Sequence, residues 1–249
     1  AGVAITGLFL ILTGIGFKIL RLRYAFILPF AAIFAAPNAL FHLAMTRPHV
    51  LTSSLALIVF ALILSAKKPK PWLIGLTAFV SAFLHLSLFW LPILSAIIAI
   101  GARYFTERKL HWRELVGVIL GLAIAWLLRP NPIGAAHLVY VQMFELLVAK
   151  FQGIPLLFGK ELFPLDWGTF AKNFLPFTLV WIWTLYLAIE EWLRLKKANT
   201  EIDRQTLLLG TVIISVTYFL MTMFLARRFY DLWAVFGITL CGLILTKAK

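Results

Sequence analysis

The chain has 249 residues, of which 62% are hydrophobic and only 13% are charged, about half the charged share of an ordinary soluble domain. A water-soluble fold of this length has no way to bury that much apolar surface, so the composition excludes one and indicates a protein covered by lipid. The formal net charge of +13 would favour a nucleic-acid partner only if the basic residues formed one patch, and they are spread along the chain.

The first apolar run follows an Ala1-Gly2-Val3 start. It has no basic flank on its N-terminal side and no small-residue cleavage site, so it does not match a signal peptide. We therefore expect a further N-terminal segment to precede this chain.

Apolar runs that can form spanning helices recur along the whole chain. A span needs about 20 apolar residues, or somewhat fewer when it is tilted or interrupted. Nine spans are predicted, at residues 2–19, 24–45, 50–66, 72–87, 90–101, 115–128, 174–189, 207–226 and 232–245. The predicted fold is all-α: a polytopic integral membrane protein with about nine transmembrane helices in a single transmembrane domain, residues 1–249.

The distribution of Lys and Arg decides between two interpretations of residues 72–101, which form either two spans broken near Pro92 or one bent helix. If residues 72–101 form two spans, sixteen of the 23 basic residues lie on the same side of the membrane. The other seven are Arg47, Arg129, Lys150, Lys160, Lys172, Arg227 and Arg228. The positive-inside rule makes the richer side cytoplasmic and places the C-terminus there. The net charge is then mainly a topology signal, and no nucleic-acid partner is predicted.

The opposite, non-cytoplasmic side has one long loop, residues 128–173, which is too long for a bare connection. Within it, the helical spacing of apolar residues predicts an amphipathic helix over residues 135–151, ended by Gly153 and Pro155. Because it contains Glu145 and Lys150, we expect it to lie in the membrane interface. Glu161 and Asp166 follow, and surface ion pairs with Lys160 and Lys172 are favoured over a sugar or metal site.

Four arginines on the non-cytoplasmic side, Arg47, Arg129, Arg227 and Arg228, stand at the ends of predicted spans. Any one of them is explained by snorkelling to lipid headgroups. For four at the same depth, a shared anionic ligand is an equally good hypothesis, since arginine binds phosphate oxygens in pairs. The ligand expected at that depth is a lipid-linked phosphate.

The histidines do not indicate a metal site. His42 and His85 lie inside predicted spans near their outer ends, and His49 and His137 lie at the outer edge. No two of them have the spacing of metal ligands on one helical turn. The single cysteine, Cys241, excludes a disulfide framework and a thiolate metal cluster. No cofactor is evident, and a divalent metal is predicted only if the preceding segment supplies its ligands.

Four segments carry a resemblance to a known family: residues 47–52, 83–92, 112–134 and 226–231. They contain an Arg-Pro turn, a span exit at Arg129-Pro130-Asn131-Pro132 and a closing Arg227-Arg228-Phe229 turn. In this order they resemble the C-terminal two-thirds of bacterial membrane glycosyltransferases of the GT-C type. The exit departs from the family's Asn-Pro-Tyr-like pattern, because Ile133 follows Pro132.

The resemblance implies a bacterial inner-membrane enzyme that transfers a sugar from a polyprenyl-phosphate donor on the non-cytoplasmic face. It implies donor-phosphate contacts at the four arginines, with the cavity lined by His49, His85, Asn131 and Asp231. The family's catalytic carboxylate follows the first span in the first outer loop. Here that position is the 46–49 turn, which has no carboxylate. Either the catalytic segment precedes Ala1 or the protein is not active.

Two other classes compete with the transferase interpretation. The first is a non-catalytic scaffold or accessory subunit of a larger membrane complex, since fold does not imply function. The second is a transporter, which predicts inverted repeats and carboxylates at mid-membrane. No repeat is evident, and the first acidic residues within a span, Glu190 and Glu191, lie at a span end.

Overall fold

The structure is a computed structural model that describes residues 2–35, 49–65, 69–153 and 163–247, and every regular element in these ranges is helical. The helices are α1 (Gly2–Ile19), α2 (Leu28–Ala35), α3 (His49–Ser65), α4 (Pro71–Leu84), α5 (Trp90–Glu107), α6 (Trp112–Leu127), α7 (Pro132–Tyr140), α8 (Leu146–Phe151), α9 (Trp167–Asn173), α10 (Leu175–Ala198), α11 (Ile202–Phe224) and α12 (Tyr230–Lys247). Short 3₁₀ turns precede α5 and α12, and a π-helical turn, Val141–Glu145, joins α7 to α8.

Several of these helices have the length and hydrophobicity of membrane-spanning helices. Within the described ranges, four are long and apolar enough to cross one, at Gly2–Ile19, Leu86–Glu107, Ile202–Phe224 and Arg227–Thr246. The number rises to six if each of two sharply bent helix pairs counts as one span. Two shorter apolar helices, Val50–Ser65 and Pro71–Leu84, add to the bundle. The chain is therefore an all-α, membrane-embedded protein, and the nine-span count stays a prediction.

Helix α3 is the centre of the bundle. Residues 50–61 are buried on every side, and Ala56, Leu57, Val59 and Phe60 have no exposed surface. A helix that is apolar all round must be surrounded by protein or lipid. Here the neighbours are α1, α4, α5, α11 and α12.

The chain breaks between α4 and α5. Helix α4 ends at Leu84, His85 is extended, and α5 begins at Trp90. Pro92 lies in the first turn of α5, where its missing N–H costs no helical hydrogen bond. The break predicted near Pro92 is thus present, and the proline starts the second helix rather than bending a continuous one.

The segments rich in Lys and Arg meet at one end of the bundle, which we call the basic end. The Arg23 N–H donates to the hydroxyl of Thr246, and the guanidinium of Arg103 donates to the Ile63 carbonyl. The hydroxyls of Thr106 and Thr206 are 2.6 Å apart. These contacts gather the C-terminal ends of α1, α3, α5 and α12 with the start of α11. The predicted clustering is therefore observed for the described residues of these segments, while Lys67, Lys68 and Lys249 lie outside them.

Arg103 follows the predicted span 90–101 and was therefore expected in a loop, but it does not lie in one. It is inside α5, its side chain is buried, and its Nε donates to Glu107 Oε1 at 2.8 Å. Glu107 also contacts His111, whose other ring nitrogen lies 3.4 Å from Glu114 Oε1. This chain of polar contacts, which begins with the Arg103–Glu107 ion pair, fixes the turn between α5 and α6 at the basic end.

Helices α4 and α6 run parallel and touch through glycine backbones. A Cβ atom added at Gly75 would lie 2.6 Å from the Gly117 carbonyl oxygen, and one at Gly117 would lie 2.5 Å from the Pro71 carbonyl oxygen. A Cβ at Gly121 would overlap the Gly75 carbonyl oxygen. Small residues allow such close approach between helices in membranes.

The helix predicted over residues 135–151 is present as α7, the π-helical turn and α8. It leaves α6 at an angle of 115° and exposes Leu138, Phe144, Val148 and Phe151. Helix α9, which the sequence pattern did not predict, meets α10 at 80°. Both bends lie at the end opposite the basic end, which we call the arginine end after Arg129, Arg227 and Arg228.

Candidate functional site

The turn between α11 and α12 presents two arginines at the arginine end. Ala226 is extended and a single 3₁₀ turn, Arg227–Phe229, leads directly into α12. Arg227 and Arg228 are half-buried, while Asp231 in the first turn of α12 is only 7% exposed. A carboxylate in the first helical turn interacts favourably with the helix dipole.

Arg227 is anchored to the C-terminal part of the long loop. Its Nη2 donates to Asp166 Oδ2 at 2.7 Å, and its backbone N–H donates to the Phe163 carbonyl at 2.8 Å. The Leu165 N–H donates to the Thr222 carbonyl at 3.3 Å. The segment before α9 therefore lies along the end of α11 and fixes the direction of the guanidinium group.

Asp166 has two roles at this position. Its Oδ1 accepts the backbone N–H of Thr169 at 2.8 Å and so caps the N-terminus of α9, while Oδ2 accepts from Arg227. The Thr169 hydrogen bond and then the Arg227 charge hold the pKa of Asp166 below its ordinary value of 3.8. Asp166 thus pairs with Arg227, while the ion pairs predicted for Lys160 and Lys172 stay a prediction because Lys160 and Glu161 lie outside the described residues.

We expect the segment before α9 to loosen in acid. Because the folded-state pKa of Asp166 is depressed, its stabilising contribution is present above about pH 3.8 and is lost as the pH falls through the folded-state value. Hydrogen exchange of a peptide covering residues 163–173, expressed relative to the intrinsic chemical rate at each pH, should accelerate over that window. Asp166→Asn should remove the acceleration and Asp203→Asn, at the basic end, should retain it. An unchanged profile in Asp166→Asn would contradict the assignment.

Arg129 is held against the C-terminal end of α4. Its Nη2 donates to the carbonyl oxygens of Ala82 at 2.8 Å and Phe83 at 3.2 Å, and the guanidinium carbon lies 5.9 Å from the Phe83 ring centre. These carbonyls belong to the last turn of α4, where no intrahelical donor is available. Arg129 therefore caps α4 and links its end to that of α6.

Among the described residues, Arg129 and Arg227 each have one unsatisfied hydrogen-bond donor, the Nε atom. In each, Nη2 is bound by protein acceptors, while the Nε atom is buried and has no acceptor within the described part of the chain. A buried charged donor without a partner is unfavourable by more than an ordinary lost hydrogen bond. An anion bound at this end would supply the missing acceptors.

Phe229 and Trp90 connect the two arginine regions. The Phe229 ring meets the Trp90 ring edge-on at 5.6 Å, which joins the α11–α12 turn to the start of α5. His85, in the same break, has its Nδ1 3.0 Å from the Ser87 hydroxyl. Arg129, His85 and Arg227 thus belong to one end of the bundle.

Asn131 has a clear local role. Its Oδ1 accepts the Gly134 N–H at 2.9 Å and caps α7, with Pro132 in the first turn of that helix. Asn131 is exposed, and the cap uses its amide oxygen. Its predicted contribution to a cavity stays a prediction.

Other predicted site residues fall outside the described ranges. Arg47, His42, Lys160 and Glu161 lie there, and the side chain of His49, which starts α3, does too. Among the residues that the structure does describe, no group of three or more His, Cys, Asp or Glu side chains could hold a metal ion. The convergence of all four arginines therefore stays a prediction.

An aromatic cluster packs between α9, α10, α11 and α12 next to the arginine end. Phe170 of α9 packs on Phe219, and Phe219 lies 4.9 Å from Trp181 and 5.1 Å from Trp233 by ring centres. Phe174 packs on Tyr230 at 5.3 Å. The sequence alone did not predict that these rings pack against one another. The signal it offered was the spacing of aromatic residues along three predicted helices.

Fold and site together define an all-helical, membrane-embedded protein with cationic side chains fixed at the end opposite its basic loops. Comparison with family models, with curated proteins and with solved structures gives no match.

Proposed function

We propose that the chain is the membrane-embedded part of a transferase of the glycosyltransferase type, which takes a sugar from a lipid-linked phosphate donor at the arginine end. The observation that carries the proposal is the pair of buried Nε donors without acceptors on Arg129 and Arg227. The planar guanidinium fork of arginine matches the geometry of phosphate oxygens.

The partners of Arg227 favour a binding role over a purely structural one. Asp166 is well exposed, with 60% of its side-chain surface accessible, so its ion pair with Arg227 adds little stability. The pair directs the guanidinium group through Nη2 and leaves Nε without an acceptor among the described residues. Asp166 occupies Nη2 and leaves Nε, which a small rotation of the side chain would expose, to donate to a phosphate oxygen.

The chemistry of the transfer gives these arginines their role. The bond between the sugar C1 and the donor phosphate oxygen breaks, and the electron pair leaves with the polyprenyl phosphate. The acceptor hydroxyl forms the new bond to C1 and loses its proton to a base. Fixed guanidinium groups stabilise the charge that develops on the phosphate in a poorly hydrated site. A carboxylate supplied from outside the described residues would act as the base.

Phosphate-dependent lipid binding tests the proposal. The purified chain in nanodiscs is titrated with polyprenyl phosphate and, separately, with the matching polyprenol, and bound lipid is counted by native mass spectrometry. We expect the phosphate to bind at least tenfold more tightly, which corresponds to about 1.4 kcal/mol. Equal binding of the two lipids would contradict the proposal.

The second measurement separates a transferase from the accessory subunit that the sequence also allows. The full-length protein, including any preceding segment, is given a polyprenyl-phosphate-linked sugar and release of polyprenyl phosphate is followed. Phosphate-dependent binding together with release supports the transferase. Phosphate-dependent binding without release supports the accessory subunit and contradicts the catalytic part of the proposal.

A further inference from the structure

A long apolar groove runs along the outside of the bundle between α4 and α6. Its volume is about 810 Å³, and its walls include Trp72, Leu76 and Phe79 on α4 and Trp112, Leu120 and Leu128 on α6. Its floor is formed by Gly75, Gly117 and Gly121. Volumes of this order match those of ordinary small-molecule sites.

The glycine contacts create the groove. Where α4 and α6 touch through their backbones, no side chain fills the seam, while the larger residues on either side rise as ridges. The distance from Trp112 to Leu128 along α6 is about 24 Å at 1.5 Å per residue. The seam is therefore longer than one half of a bilayer's hydrocarbon core, which is about 15 Å.

At the basic end the groove opens into a polar cleft of about 510 Å³. Pro71, Trp112 and Arg113 line both spaces, and the cleft adds His111 and Glu114. Arg113 is exposed, and its guanidinium carbon lies 5.8 Å from the centre of the Trp112 ring. The combined space is thus apolar along its length and polar at one end.

The charges around this opening are mainly positive. Lys70, Arg108, Lys109 and Arg113 are exposed near the polar cleft. Of the nearby carboxylates, Glu107 is bound by Arg103 and His111, and Glu114 is buried against His111. The exposed charge at the mouth of the groove therefore complements an anion.

We propose that this groove is a binding site for one anionic glycerophospholipid from the leaflet at the basic end. An acyl chain lies on the glycine floor between the two ridges, and the headgroup phosphate meets Arg113 at the polar cleft. Trp72 and Trp112 line the groove near its basic end, and tryptophans are typical of the headgroup region at membrane interfaces. The site is independent of the phosphate site proposed at the arginine end.

The polar cleft distinguishes this occupant from a partner helix. A helix or a second copy of the chain would need only the apolar ridges and the seam, and the cationic mouth would contribute nothing to its binding. A phospholipid uses both parts, because its chain is apolar and its headgroup is charged. Each Lys or Arg near the surface adds about 1 kcal/mol to the attraction of anionic lipid, or about fivefold in affinity.

Competitive lipid binding tests the proposal. Delipidated protein is titrated with phosphatidylglycerol and with phosphatidylcholine, and bound lipid is counted by native mass spectrometry. We expect wild type to prefer phosphatidylglycerol by at least fivefold. Arg113→Gln should lower phosphatidylglycerol affinity about fivefold and phosphatidylcholine affinity by less, because the choline cation already offsets the phosphate charge of that lipid. Leu120→Trp, which fills the groove, should lower the affinity for both lipids.

Matched controls lie on α10, away from the groove. Arg194→Gln removes an exposed charge at the basic end, and Leu179→Trp enlarges a side chain as exposed as Leu120. Both should bind lipid like wild type. Equal affinity for the two lipids in wild type, an effect of Arg113→Gln equalled by Arg194→Gln, or full binding in Leu120→Trp would overturn the proposal. Dimers that Leu120→Trp abolishes would assign the groove to a second copy and overturn it as well.

Discussion

Replacing Arg227 with leucine is expected to weaken the binding of polyprenyl phosphate by about tenfold to a hundredfold. Hydrogen bonds to a charged partner contribute about 1.5–3 kcal/mol, and this substitution removes every donor that Arg227 could offer to a phosphate. The affinity of Arg227→Lys for polyprenyl phosphate should lie between those of wild type and Arg227→Leu, because lysine keeps the charge and loses the planar fork. The measurement is the nanodisc titration with native mass spectrometry.

Two controls separate lost phosphate contacts from a loosened loop. Asp166→Asn breaks the ion pair with Arg227 and weakens the α9 cap, but it keeps the arginine. Arg194→Leu removes a guanidinium at the basic end. Both variants should bind polyprenyl phosphate within about threefold of wild type, since exposed ion pairs contribute little. If Asp166→Asn lost as much affinity as Arg227→Leu, the role of Arg227 would be to hold the loop.

Gly121→Ala is expected to destabilise the bundle by about 2 kcal/mol or more. The added methyl group would overlap the Gly75 carbonyl oxygen, and a backbone atom cannot rotate away as a side chain can. Overpacking costs about 1–3 kcal/mol, so α4 and α6 must separate to relieve it. For a chain of this size that lowers the melting temperature in detergent by about 4–8 °C.

Gly101 provides the matched control for this substitution. It lies inside α5, and a Cβ built there meets no atom within 4 Å. Gly101→Ala should therefore be neutral or stabilising by about 0.5–1 kcal/mol, because alanine is the better helix former. A stable Gly121→Ala protein would mean that α4 and α6 do not pack through their backbones.

The helical class and the sorting of basic segments were predictable from sequence because both follow from simple counts. Apolar runs imply spans, and alternating Lys- and Arg-rich segments imply alternating ends. The same reasoning predicted the break before α5 but attributed it to Pro92. In the structure Pro92 lies in the first turn of α5, after the break. The reasoning also placed Arg103 in a loop, because sequence alone does not reveal that Glu107 one turn later allows the charge to stay inside α5.

The details of the site depend on contacts between distant residues, which local patterns do not contain. The pairing of Arg227 with Asp166 joins residues 61 positions apart, and the Arg129 cap joins the ends of two helices that are not consecutive. One signal was present and unused: Gly117 and Gly121 are four residues apart in an apolar helix, a spacing typical of close helix packing. This spacing predicts a closely packed neighbouring helix but does not identify that helix as α4.

Photocross-linking measures directly where the donor phosphate lies on the chain. A polyprenyl phosphate with a photoactivatable group beside its phosphate is bound in nanodiscs, irradiated, and the cross-linked peptides are identified by mass spectrometry. We predict cross-links within residues 83–90, 129–131, 163–167 and 226–231. Cross-links confined to residues 18–23 and 108–113 would place the phosphate at the basic end and contradict the account.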